Sequence, residues 1–210
     1  NFQILKARAI LLHEASAQFA VKRFTSELNG ISLSQLAARY GLVHALIASN
    51  RPEDALKEFE PLAKQYNHLL AVRITKADIY AASERYDLAL DILKRELAAT
   101  PNDHILNIRY AEVLMEATQY ELGESVLKAH VKRHSENAYV WYLLAETHGL
   151  AGNILDVHKA RAEYFILLGI YEKAEIQLRN ALQLIGDDKY EKSRLEQRLA
   201  YVRKLKKEKN

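Results

Sequence analysis

Residues 74–101 read ITKADIYAASERYDLALDILKRELAATP, and the spacing inside this stretch decides the fold. Ala77 and Ala89 are small and twelve residues apart, and Leu93 follows four residues after Ala89. On a helix, positions four apart share a face. A small residue there lets two helices approach, and a large one fills the next gap. The same trio stands 34 residues earlier as Val43, Ala55 and Phe59, and 34 residues later as Ala111, Gly123 and Leu127. A fixed period of this length, searched for before anything else, marks a stacked repeat.

Each period holds two helices. The spacing predicts hairpins over 36–48 with 52–66, 69–82 with 86–99, and 103–116 with 120–133, and a fourth opening at 137–150. Turn signals separate them at Asn50-Arg51-Pro52, Pro101-Asn102-Asp103, Ser135-Glu136-Asn137 and Gly152-Asn153. Pro52 suits a first helical turn, whereas Pro61 is expected to kink its helix or shift its boundary. After Trp141 the pair Ala145/Val157 is followed by Ala162/Ala174 only 17 residues on. The helix over 155–168 is therefore expected to serve twice, closing one hairpin and opening another with 171–185. Residues 1–30 read as a capping hairpin (2–12 and 17–28), 31–186 as the repeats, and 187–210 as a capping helix with a basic tail. In that last helix Tyr190, Leu195, Leu199, Val202 and Leu205 are expected to face inward. The fold class is all-α, a right-handed superhelical solenoid of about twelve helices.

Composition agrees. The 210 residues are 49% hydrophobic, with three prolines and seven glycines. No run approaches the roughly 18 apolar residues of a membrane span. Cysteine is absent, which excludes disulfides, a cysteine nucleophile and thiolate zinc sites and suits an oxidising compartment. The first residue, Asn1, leads us to expect a mature or excised segment. Net charge is +3, and residues 187–210 carry nine Lys/Arg against five Asp/Glu. The basic character belongs to the tail and not to a face of the body, so nucleic acid is not the expected partner. Polyanion binding through the tail is the competing idea.

These positions resemble the tetratricopeptide repeat. Trp141, Leu144 and Ala145 match its opening, and Ala77, Tyr80, Ala89, Leu93 and Pro101 match a full period. The resemblance implies a protein-binding groove lined by the first helix of each hairpin. The groove positions are then Tyr40, His44 and Ile47; Ile74 and Asp78; Ile108, Glu112 and Met115; and Tyr139, Tyr142 and Glu146. Asp78, Glu112 and Glu146 recur at 34-residue intervals. They are either solvated acids paired with Arg73 or Arg109, or a ladder accepting mixed apolar and basic segments. Tyr139 and Tyr142 are either binding anchors or wedges against the next hairpin. Repeats of this kind that clamp C-terminal carboxylates carry Lys and Asn where this chain has Tyr40/His44, Ile74/Asp78 and Ile108/Glu112, so acidic C-terminal tails are not expected ligands.

A second resemblance covers nearly the whole chain. Arg161, Glu163, Tyr164, Leu168, Gly169, Tyr171, Ala174, Gln177, Leu178 and Ala181, then Asp188, Tyr190, Ser193, Arg194 and Arg198, are similar to the C-terminal repeat region of periplasmic zinc metallopeptidases of Gram-negative bacteria. Gln35, Leu36, Ala37, Tyr40, Gly41 and Leu42, with Pro52, Ala55, Glu60, Pro61 and Leu62, agree in order and spacing. The resemblance implies a periplasmic location, although a cytoplasmic one stays open. It also implies docking onto a peptidase domain of the same protein, and clients among outer-membrane protein precursors or the barrel assembly machinery. Zinc would belong to the peptidase domain, whose His-Glu-x-x-His motif places two ligands and a general base on one helix. Here His13-Glu14-Ala15-Ser16 continues with Ala17, so no catalytic residue and no cofactor is expected in this chain, and a stand-alone adaptor is the alternative. His130 and His134, four apart, read as a surface pair and not as a metal site.

Overall fold

The computed structural model describes residues 2–209. Twelve α-helices and no strands occur among them: α1 (Phe2–His13), α2 (Ala17–Glu27), α3 (Gln35–Ala48), α4 (Pro52–Tyr66), α5 (Leu70–Ala82), α6 (Tyr86–Ala99), α7 (His104–Glu116), α8 (Tyr120–Val131), α9 (Ala138–Leu150), α10 (Ile154–Leu167), α11 (Tyr171–Leu184) and α12 (Lys189–Lys209). Their bounds fall within one or two residues of those expected, which is the scatter of helix ends themselves. The helices form two compact units, Asn1–Thr100 and Pro101–Asn210.

The 34-residue register is a packing register. Val43, Ala55, Ala77, Ala89, Ala111, Ala145, Ala162 and Ala174 are all buried, as are Phe59, Leu93 and Leu127. Within each unit successive helices pack in pairs, and first helices of neighbouring hairpins also touch, α3 with α5 and α7 with α9. The same period governs the backbone. Asn50, Glu84, Thr118 and Gly152 all have positive φ (56°, 58°, 59° and 77°) and end α3, α5, α7 and α9. After each, the next amide donates back to the carbonyl five residues earlier, as Arg51 to Leu46 and Asn153 to His148. This is the left-handed helix stop that frees the chain to turn. Gly169 repeats it 17 residues after Gly152, with φ 68°. α10 packs against both α9 and α11, so one helix does serve two hairpins.

Side-chain caps fix the other ends. Ser16, Ser34, Asp103 and Asn137 accept backbone N–H groups at the starts of α2, α3, α7 and α9. α4 runs through Pro61 without a shifted boundary. Proline removes the N–H that would bond the Lys57 carbonyl, and both residues are exposed, so water can take its place.

The N-terminal cap departs from a simple hairpin. α1 and α2 each pack mainly on α3 and little on each other. Gly41 makes this possible: a Cβ there would lie 2.1 Å from the Phe24 ring. At the other end Leu195, Leu199 and Val202 are buried as expected, but Tyr190 is 75% exposed. It sits on the first turn of α12, where the Arg194 guanidinium lies over its ring.

Candidate functional site

In the first unit the expected groove residues are largely core. Tyr40 is 0% and Ile74 6% exposed, which corrects their assignment to an open face. The cause is α1. Its Arg8 lies over the Tyr40 ring and donates from Nε to the hydroxyl at 3.0 Å. Burial pushes the Tyr40 phenol up, and the Arg8 charge works against that shift. His44 stands against the same ring, with centroids 4.4 Å apart, and its Nε2 meets Thr75 Oγ1 at 3.1 Å. Asp78 is partly buried, and its charge acts on the Tyr40 phenol too. Arg73 lies on α5 with Asp78. It makes a two-pronged contact with Glu96, at 2.7 and 2.9 Å.

The second unit carries the exposed part. Tyr139 and Tyr142 on α9 are 47% and 43% exposed. Their rings stack at 6.1 Å, and Tyr142 meets Tyr164 of α10 at 5.8 Å, which in turn meets Phe165 at 5.3 Å. Ile108 and Met115 of α7 are half-buried against the core formed by Ala111, Leu127, Val140 and Leu144. Acidic groups flank the rings, each held by an arginine. Glu112 accepts from Arg109 at 3.2 Å and from the Tyr139 hydroxyl at 2.7 Å. Glu146 accepts from Arg161 at 3.3 Å. Burial first, and then the bond to Glu112, push the Tyr139 phenol up to about 12. The result is a strip of three tyrosine rings edged by Glu112–Arg109 and Glu146–Arg161 pairs. Such a strip offers flat apolar area at low entropic cost, with charges at its margin to orient a polar chain. Tyr164 and Arg161 belong to it although the groove register did not select them. The 17-residue step that makes α10 double as a first helix was the signal.

One other sequence expectation changes. His130 is fully buried and lies in a cluster with His104 and His134, so the surface-pair assignment is wrong. The antiparallel α7–α8 hairpin brings the start of one helix to the end of the other. Part of the basic tail, meanwhile, meets acidic groups of α10 and α11. Arg198 bridges to Glu163, Arg203 lies 3.0 Å from Glu175, and Lys206 lies 3.6 Å from Glu175 and 3.7 Å from Glu172. The Arg203 hydrogen bond holds the Glu175 carboxyl below its usual range. His13 ends α1 and Ser16 caps α2, so His13-Glu14-Ala15-Ser16 spans a break and not one helix.

Known proteins place this architecture. The tetratricopeptide repeat family matches residues 46–105 and 80–147. Over 98% of its length the chain is 23% identical to the beta-barrel assembly-enhancing proteases of Escherichia coli (strain K12) and Shigella flexneri. It spans 42% of the length of these curated relatives. Among solved structures, MamA from Desulfovibrio magneticus RS-1 aligns with a TM-score of 0.52 at 16% identity, covering 84% of this chain and 98% of that one. A tetratricopeptide repeat protein from Parabacteroides merdae ATCC 43184 aligns with a TM-score of 0.55 at 13% identity, covering 89% of this chain and 77% of that one. Among the described residues no helix is long and apolar enough to cross a membrane. Residues 46–147 carry tetratricopeptide repeats, and the fold is of the tetratricopeptide type, a helical-repeat scaffold for binding proteins.

Proposed function

We propose that this chain is the partner-docking part of a periplasmic metallopeptidase that serves outer-membrane protein assembly or quality control. The observation that carries the reading is the Tyr139–Tyr142–Tyr164 strip with its acidic margin. Its support from relatives is the similarity, along 98% of the chain, to proteins named for β-barrel assembly and proteolysis. Strands of membrane barrels alternate apolar and polar residues and are rich in aromatics near the interfaces. An unfolded segment of that kind can lay alternate apolar side chains on the tyrosine rings. Lys or Arg between them can meet Glu112 and Glu146. The function of the chain is then to hold a client in extended form near a peptidase centre carried on another domain of the same protein. Zinc belongs to that domain in this reading, together with the proteolytic chemistry.

The test is fluorescence anisotropy with labelled strand peptides from outer-membrane barrel precursors. Tyr142→Ala is expected to weaken binding by about tenfold, the cost of a modest anchor, with the helical signal unchanged. Glu146→Gln should weaken peptides containing Lys or Arg more than neutral ones. Equal affinity of the parent chain and both variants would remove the strip from the account. Binding of unrelated extended peptides with the same affinity would favour a general adaptor.

A further inference from the structure

We propose that His104, His130 and His134 form a binding site for a divalent transition-metal cation of borderline softness, such as zinc or cobalt. One ligand nitrogen from each of the three lies within 4.8 Å of the others. The rings make a near-regular triangle, with centroids 5.0 Å (His104–His130), 4.8 Å (His104–His134) and 4.5 Å (His130–His134) apart. Three imidazoles are a sufficient protein ligand set for such a cation, leaving a further position for water or for Glu136. Glu136 Oε1 already stands 3.9 Å from His134 Nδ1. Two of the rings bracket the C-terminus of α8, where the unpaired carbonyls favour positive charge; the Arg133 charge acts against it.

Hydrogen bonding supplies an independent argument. Asn137 Oδ1 caps α9 by accepting from the amides of Tyr139 and Val140 at 3.0 and 3.4 Å, which fixes the amide group. Its Nδ2 therefore donates to His104 Nε2 at 3.1 Å. The proton of neutral His104 must then sit on Nδ1, donating to His130 Nε2 at 2.8 Å. That leaves the proton of neutral His130 on Nδ1, which is buried and has no hydrogen-bond partner. A fully buried imidazole packed against two others with one nitrogen unanswered is costly, and a structural core would more simply place an apolar residue there. Coordination through His104 Nδ1 moves its proton to Nε2. The hydrogen bond from Asn137 Nδ2 to that nitrogen is then given up, because the cap of α9 holds Oδ1 on the Tyr139 and Val140 amides. The site would thereby tie the start of α7 to the end of α8. This inference does not depend on the docking role.

The experiment uses the full chain without a polyhistidine tag, stripped with chelator and titrated with cobalt, followed by its visible absorption, then with zinc in competition. One equivalent is expected to bind with a ligand-field band, and zinc should displace it. His134→Ala removes a half-exposed ligand and leaves the fold intact by circular dichroism; affinity should fall on the order of 100-fold or more. Zinc should raise the unfolding midpoint of the parent chain and not of the variant. No band, or the same titration in a His104→Ala/His134→Ala double variant, would overturn the proposal and assign any binding to the other histidines.

Discussion

Tyr40 on α3 and Tyr142 on α9 hold the same position of the repeat, yet one is 0% exposed and the other 43%. Both are four residues before a polar group of the same register, His44 and Glu146. What separates them is what else the chain lays on the helix. α3 receives α1, and Arg8 closes over the phenol. Among the described residues of its unit α9 receives no such cover, and its tyrosine stacks along a row of rings. A repeat position thus fixes the direction in which a side chain points, and the neighbouring elements decide whether it becomes core or binding surface.

The largest effect should come from truncating Tyr40, with Tyr142 as its counterpart. Tyr40→Ala removes a fully buried aromatic side chain and leaves Arg8 without its acceptor, so a loss of about 3–5 kcal/mol in unfolding free energy is expected. Tyr142→Ala should cost less than about 1 kcal/mol, because nearly half of the side chain is already in water. Denaturant titrations of both variants measure the contrast. Similar losses would mean that the two faces are equally buried and would undo the comparison.

A smaller effect isolates how α3 came to be covered. Gly41 faces Phe24, itself fully buried, and an added Cβ would fall 2.1 Å from that ring. The corresponding residue of α9, 102 positions on, is Leu143, a buried full-sized side chain. Gly41→Ala gains about 1 kcal/mol of helix propensity and forces α2 outward. A net loss of about 1–3 kcal/mol is expected, the usual range for overpacking. Stabilisation by this substitution would show that α2 is not held against α3.

The sequence made the register legible because small residues at helix crossings have no substitute: Ala77, Ala89, Ala111 and Ala174 are buried where the spacing put them. Turns were partly legible. Asn50 and Gly152 announce a left-handed residue, whereas Glu84 and Thr118 take the same backbone conformation with side chains that do not advertise it. Tertiary packing overrides local preference at those two positions. The face was legible as direction but not as exposure, since nothing in the period says that α1 folds onto α3. The histidine cluster was half legible. His130 and His134 share a helix turn, but His104 arrives only through antiparallel pairing of α7 with α8.

The smallest expected effect tests the exposed face itself. The Tyr139 hydroxyl donates to Glu112 at 2.7 Å, and its pKa is raised from 10.0 to about 12 by burial first and by this bond second. A folded-state value above the unfolded one means that the contribution to stability is complete below pH 10 and is lost as the pH rises through about 12. Tyr139→Phe should therefore cost less than about 1 kcal/mol at neutral pH, as befits a hydrogen bond at a half-exposed site. Glu112→Gln removes the anion beside the phenol, so the phenolate absorption of Tyr139 should appear at lower pH than in the parent chain. Arg109 keeps its second acceptor, Glu116 at 3.1 Å, and so stays in place to favour the phenolate. An unchanged phenolate titration in the Gln variant would mean that Glu112 and Tyr139 do not meet, and the acidic margin would then be free to face a client without first giving up this bond.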